Sequence, residues 1–219
     1  MDDPVKRLRR LDVCAVSDAM DKLGLVGGVS GLTQQATNRR IAGRVVTYRL
    51  VAKADAPVSS GPARHLGTTA IEAAQPGDVI VVEQRTGIEA GSWGGILSLG
   101  AKVRAISGVI ADGPVRDIDE ARAYDFPVFC RSLTARTARG RVVEAETNCV
   151  VSIGDVKVAA GDYVIADASG VVFIAANYIE GLLDAAESIV GREAAMAKAL
   201  LGGTPISQVM NGDYEHMLQ

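Results

Sequence analysis

Residues 79–111 constrain the fold more than any other stretch. Val79–Glu83 (VIVVE) is a short β-branched run launched by the turn Pro76-Gly77-Asp78, and Gly108–Ala111 (GVIA) is a second such run, breaking at Asp112-Gly113-Pro114. Between them "SWGGILSLGAKVRAISG" reads as a helix over 94–106, with Ile96, Leu99, Val103 and Ile106 on one face. Strand, helix and strand make a βαβ unit, which requires parallel strands and a right-handed crossover.

The flanking segments fit an α/β chain. Residues 4–24 read as an N-terminal helix, with Val5, Leu8, Leu11, Val16, Met20 and Leu23 at spacings of 3–5 and Gly24 as its stop, and Ser17-Asp18 within it are placed to cap a second helical piece. "IAGRVVTYRLV" (41–51) is β-rich, 57–64 is a loop, and a helix follows to about Ala74. The Gly-Asp turn recurs at Gly161-Asp162 ahead of two strands around Ser169-Gly170, so Asp78 and Asp162 are expected as turn residues. A short helix is expected over 118–124, a strand at Val128–Phe129, several strands over 141–174, helices over about 175–210, then a polar tail. No linker divides the chain, so residues 1–219 are expected as one domain.

Charge and composition exclude several functions. A net charge of −3 gives no bulk attraction to nucleic acid or an anionic membrane, and no apolar run approaches the length of a bilayer span. The basic runs "KRLRRL" (6–11) and "RSLTARTARGR" (131–141) lack interleaved aromatics and read as solvated or subunit-contacting faces. Cys14, Cys130 and Cys149 have no metal-type spacing, which with the charged start from Asp2 sets the expectation of a reduced, cytoplasmic chain without a secretory leader. Two histidines, His65 and His216, leave no basis for a histidine-rich zinc site.

Ligands of α/β units bind beyond the carboxyl ends of parallel strands. Here those ends deliver "RTGIEAGSWGGIL" and "DGPVRDIDE". The amides of Gly94, Gly95, Ile96 and Leu97 form a helix N-terminus suited to a carboxylate or phosphate; close packing of the glycines on the sheet explains the same residues equally well. Neither phosphate-loop motif occurs. Arg116-Asp117 has two readings. Asp117-x-x-Glu120 is a capping-box-like pattern in which Asp117 accepts from the Glu120 N–H, and Asp117 is equally a hard oxygen ligand for Mg²⁺ or Mn²⁺ beside an arginine fork for an oxo acid. Trp93 reads as a packing anchor, His65 as structural, Cys130 as buried and inert, and neither Lys102 nor Lys157 has the setting of a Schiff-base lysine.

"WGGILSLGAKVRAISGVIADGPVRDIDEA", with "AIEAAQPGDVIVVE" upstream and "GDYVIADASGVVFI" downstream, resembles the RraA-like superfamily from about residue 17 to Gly203. That superfamily includes 4-hydroxy-4-methyl-2-oxoglutarate / 4-carboxy-4-hydroxy-2-oxoadipate aldolases, regulators of ribonuclease E activity, and proteins labelled demethylmenaquinone methyltransferase. The resemblance implies a layered swivelling-type β/β/α domain with a central βαβ unit and C-terminal helices. It also implies trimers or hexamers with interfacial active sites. Carried onto this chain, the amides of Gly94, Gly95, Ile96 and Leu97 bind a substrate carboxylate, and Arg116 binds the 2-oxo group and steadies the enolate. Asp117 holds the divalent metal, and Glu193 from a neighbouring subunit is the best match to the family's additional acid. The implied activity is metal-dependent cleavage of a 4-hydroxy-2-oxo acid to pyruvate, with oxaloacetate decarboxylation as a companion. The alternative is a non-catalytic regulator of ribonuclease E or an oxo-acid-binding protein. One position departs: the aldolases carry an acid with twenty residues between it and the Arg of Arg-Asp, and here that position is Gly95.

Overall fold

The computed structural model describes residues 3–56 and 65–210; the loop expected at 57–64 and the tail beyond 210 lie outside the described residues. The elements are, in order, α1 (Pro4–Leu8), α2 (Val13–Lys22), β1 (Gly28–Val29), β2 (Thr33–Ala36), β3 (Ile41–Ala52) and α3 (Thr68–Ala73). Next come β4 (Val79–Glu83), α4 (Gly95–Val103), β5 (Gly108–Val115), α5 (Ile118–Ala123) and β6 (Val128–Leu133). The chain continues through β7 (Val142–Thr147), β8 (Val151–Ile153), β9 (Val156–Val158), β10 (Tyr163–Asp167), β11 (Gly170–Ile174), α6 (Ile179–Leu201) and α7 (Ile206–Val209).

The βαβ unit forms as the sequence requires. β4 lies parallel to β5, from Val79 opposite Gly108 to Glu83 opposite Asp112, and β3 and β6 extend the parallel set on either side. Alternate residues of β4 serve two cores, Ile80 and Val82 facing one way and Val79 and Val81 the other. The first core packs the parallel sheet against α3, α4 and α5 through Ile71, Trp93, Leu97, Ala101 and Phe126. The second joins the sheet's other face to the β8–β9 hairpin and to inner residues of β10 and β11, including Ile153, Val164 and Phe173. The outer residues Ile165, Val172 and Ile174 pack with α1, α2 and α6. The β/β/α layering expected is present, with its central βαβ unit and C-terminal helices, and α1, α2 and α6 add a further helical layer outside the second strand layer.

Several sequence expectations need correction. The N-terminal segment is two helices, but the second starts at Asp12 rather than Ser17-Asp18, because Asp12 turns extended (φ −112°, ψ 168°) and its carboxylate accepts the Ala15 N–H at 2.9 Å. Gly24 does stop α2: it sits at φ +64°, and the Leu25 N–H reaches back to the Met20 carbonyl at 2.9 Å. β5 does not break at Asp112-Gly113-Pro114 but runs to Val115, because a register shift against β6 between Ala111 and Pro114 accommodates the missing proline donor. The apolar face read for this helix is not its packed face except at Ile106, which is buried but lies past the helix end at Val103. Leu97 and Ala101 are buried, whereas Ile96 and Val103 are 80% and 78% exposed. Nor is "KRLRRL" a free surface: Arg7 bonds Glu180, Asp184 and Glu187 of α6, clamping α1 to it. The turn reading of the two aspartates holds. Asp78 accepts from Gln75 N and Asp162 from Ala159 N, each at 2.8 Å.

Candidate functional site

The carboxyl ends of β4 and β5 bring "SWGGIL" and "VRD" face to face. Ser92 N and Oγ both donate to the Pro114 carbonyl at 2.8 Å, and Arg116 N donates to the Trp93 carbonyl at 3.0 Å. These bonds zip the loop before α4 to the end of β5. Trp93 anchors the loop from below, fully buried, stacked on Phe126 at 6.2 Å and donating Nε1–H to Ser98 Oγ at 2.9 Å. The Tyr48 hydroxyl donates to the Ser92 carbonyl at 2.7 Å. Burial and nearby Glu144 hold that phenol well above its usual pKa, so it stays a donor.

Asp117 occupies the N-cap position of α5, but the capping-box reading fails: its side chain makes no bond to that helix. Its backbone is left-handed (φ 57°, ψ 40°), a conformation that aspartate adopts more readily than most residues and that turns the carboxylate away from its own helix. Oδ2 instead accepts the Gly95 N–H of α4 at 3.1 Å, and Oδ1 accepts from Arg116 Nε at 3.0 Å. Each glycine leaves room for a neighbouring carboxylate. A β-carbon on Gly94 would stand 2.7 Å from Asp117 Oδ2, and one on Gly95 would stand 2.6 Å from Glu120 Oε2. Gly91 plays the same part for the Arg116 stem, whose Cγ would lie 2.9 Å from a β-carbon there.

The pair opens onto a cleft of about 1120 Å³, lined on this side by Gly94, Gly95, Ile96, Leu97, Arg116 and Asp117. Lys53, His65, Arg139 and Glu144 also line it. Arg116 and Asp117 are half-buried, positioned by their neighbours yet open to a ligand. Of the four amides expected to hold a carboxylate, Gly95 is engaged by Asp117, leaving those of Gly94, Ile96 and Leu97 without a protein acceptor among the described residues. The structure thus brings together six of the seven residues singled out in the sequence. Glu193 is the exception: it lies on α6, where burial and the negative charges of Asp12 and Asp18 push its carboxyl above the usual range, and it lines no part of this cleft.

The donor set fits a hard divalent ion held largely through water. No group of three metal-ligating side chains occurs among the described residues. Each Asp117 oxygen accepts one protein hydrogen bond and keeps a second lone pair, and ions such as Mg²⁺ need only one or two protein carboxylates. Sequence reasoning missed Gly91, Tyr48 and Glu144, which carry no local motif. Glu144 accepts the Gly67 N–H at 2.6 Å and the Thr147 hydroxyl, fixing the cleft wall. His65 is exposed and lines the cleft, its Nδ1 3.0 Å from the Leu66 carbonyl, and burial pushes the Cys130 thiol up to about 11, away from the reactive thiolate form.

Comparison with known proteins adds a context. A family model described as RraA-like: Aldolase/RraA matches residues 13–173. Protein DlpA of Legionella pneumophila is 26% identical over 208 residues, 95% of this chain, which spans only 33% of that protein's length. A Halalkalibacterium halodurans protein named as a 4-hydroxy-4-methyl-2-oxoglutarate aldolase is 27% identical over 90% of this chain and 89% of its own. Among solved structures, Streptomyces coelicolor RraAS2, titled an unusual member of the RNase ES inhibitor RraA protein family, superposes with a TM-score of 0.76 at 23% identity, covering 89% of this chain and 95% of that one.

Proposed function

The chain belongs to the RraA-like family, and we propose that within it this protein is a divalent-metal-dependent carbon–carbon lyase that cleaves a 4-hydroxy-2-oxo acid and releases pyruvate. The observation that carries this reading is the Asp117 carboxylate. It is locked between the Gly95 amide and the Arg116 guanidinium at the wall of a cleft, beside helix amides that have no acceptor among the described residues.

In this reading the free amides of Gly94, Ile96 and Leu97 bind the substrate's C1 carboxylate at the positive end of α4. The Arg116 guanidinium uses its outer N–H groups, which the bond from Nε to Asp117 leaves free, to hold the 2-oxo oxygen and then the enolate oxygen. Asp117, with waters completing the shell, would hold Mg²⁺ or Mn²⁺, which when bound would supply Lewis-acid polarisation of the 2-oxo acid. Losing the bond between C3 and C4 leaves the enolate of pyruvate. Loss of carbon dioxide from oxaloacetate leaves the same enolate, so that activity accompanies the first.

The reading includes assembly as a homotrimer or hexamer, in which Glu193 of one subunit approaches the cleft of another. The apolar side chains exposed on the outer face of α4 (Ile96, Leu99, Val103) and at the end of α6 (Leu200, Leu201) support it. The test is pyruvate release from 4-hydroxy-4-methyl-2-oxoglutarate and from oxaloacetate, before and after metal stripping with the residual metal measured. Turnover that vanishes on stripping and returns with Mn²⁺ or Mg²⁺ is expected. Undiminished turnover in the stripped protein contradicts the mechanism, and no turnover under any condition favours a regulator or binding protein.

A further inference from the structure

Two carboxylates converge on Gly95. Asp117 Oδ2 accepts its N–H at 3.1 Å, and Glu120 Oε2 lies 2.6 Å from the point where a β-carbon on Gly95 would stand. The Glu120 carboxyl carbon and its own β-carbon are 3.0 and 3.1 Å from the same point, so the side chain lies flat over the first turn of α4 and fills the room left by the glycine. Other polar side chains of α5 behave differently: Asp119 and Arg122 bond each other at the surface at 2.9 Å. The left-handed backbone of Asp117 turns its carboxylate to the start of α4, and Glu120, in the first turn of α5, lies over the same residue of α4. Glu120 does not line the main cleft; it lines a second, smaller hollow that meets that cleft at Arg116 and Asp117.

Resting on the aldol-cleavage reading above, we propose that Glu120 is the proton-handling acid of this site, delivered from α5 into the space that Gly95 leaves open. Its carboxylate takes the proton of the substrate's 4-hydroxyl group. The O–H pair becomes the second bond of the new C4 carbonyl, and the C3–C4 pair passes to C3 as the enolate held by Arg116. The proton then returns to C3, completing pyruvate with no oxidant or second reactant. Gly95 is the complement of this arrangement, because any side chain there displaces the carboxylate.

The experiment compares wild type, Glu120→Gln, Glu120→Ala and the double variant Gly95→Asp/Glu120→Ala. It measures pyruvate release with Mn²⁺, Mn²⁺ affinity by calorimetry and melting temperature. Glu120→Gln keeps shape and removes the base. Its kcat is expected to fall about 100-fold, the lower end of general acid–base contributions, with KM and Mn²⁺ affinity changed less than about threefold. The double variant supplies a carboxylate from the other side of the same space and is expected to recover at least about tenfold over Glu120→Ala. Glu120→Gln turnover within about twofold of wild type overturns the role, and so does a loss of Mn²⁺ affinity that accounts for the lost turnover. A wild-type chain that releases no pyruvate overturns the aldolase reading itself and this role with it, an outcome distinct from an active wild type with an undiminished Glu120→Gln.

Discussion

Asp117 stands at the start of one helix and caps another. Its left-handed backbone lets one carboxylate tie α4 to β5 while keeping a lone pair on each oxygen for a ligand. Asp117→Asn retains an oxygen for the Gly95 N–H, so its melting temperature should stay close to wild type while kcat falls at least about 100-fold. Asp117→Ala removes the cap as well and should cost about 1 kcal/mol of stability, read from urea denaturation. Gly94→Ala places a methyl group 2.7 Å from Asp117 Oδ2 and should lower kcat through displacement of that oxygen. The Gly94 backbone is extended, so the substitution itself adds no strain, and a variant of unchanged kcat would show that the contact is not part of the site. At this scale the sequence displayed residues that the fold brings together, with one wrong connection. Arg116-Asp117 and "WGGIL" were legible as partners, but Asp117-x-x-Glu120 imitates a capping box, and nothing in the residue order signals that φ at Asp117 is positive. The acid that position 95 lacks was legible only as a gap. That Glu120 lies over it depends on how α5 is set against α4.

Among the elements, the βαβ unit was the most readable, because β-branched runs and a helical period leave one arrangement for parallel neighbours. The facing of α4 was not. Leu97 and Ala101 go inward while Ile96, Leu99 and Val103 form a second apolar row outward, and a helix with two apolar rows does not reveal which one the monomer buries. The same limit applies to α1, whose basic residues looked solvated until α6 supplied three carboxylates for Arg7. That clamp carries a pH dependence. The hydrogen bond from Arg7 holds the Glu187 carboxyl below its usual range, so its stabilising contribution is present above the unfolded carboxylate pKa and is lost as pH falls through the lowered folded value. Arg7→Ala should therefore cost about 1–2 kcal/mol at pH 7, kept modest by the solvent exposure of the carboxylates. In urea melts the gap should close toward pH 3; a gap that persists in acid would assign the effect to packing of the arginine stem.

Across the molecule, two strand layers between helical layers put the cleft at the carboxyl ends of β4 and β5 and leave α6 on the far side. No helix of the described residues is long and apolar enough to cross a membrane. This layout explains why Glu193 is remote from the cleft of its own chain and why the proposed assembly is needed to bring it near. Light scattering should return three or six times the 22.8 kDa chain mass, and Val103→Glu, on the outer row of α4, should lower that number. A monomer would leave Glu193 without a catalytic part. The central claim, that Asp117, Arg116 and the α4 amides form a metal-dependent 2-oxo-acid site, is tested most directly without knowing the natural substrate. Oxalate has the planar shape and paired oxygens of the pyruvate enolate, and its binding to wild type and Asp117→Asn can be titrated with Mn²⁺ or with a chelator present. Oxalate should bind wild type only with Mn²⁺ and bind Asp117→Asn at least about tenfold more weakly; equal affinity with and without metal, or in both proteins, would contradict the claim.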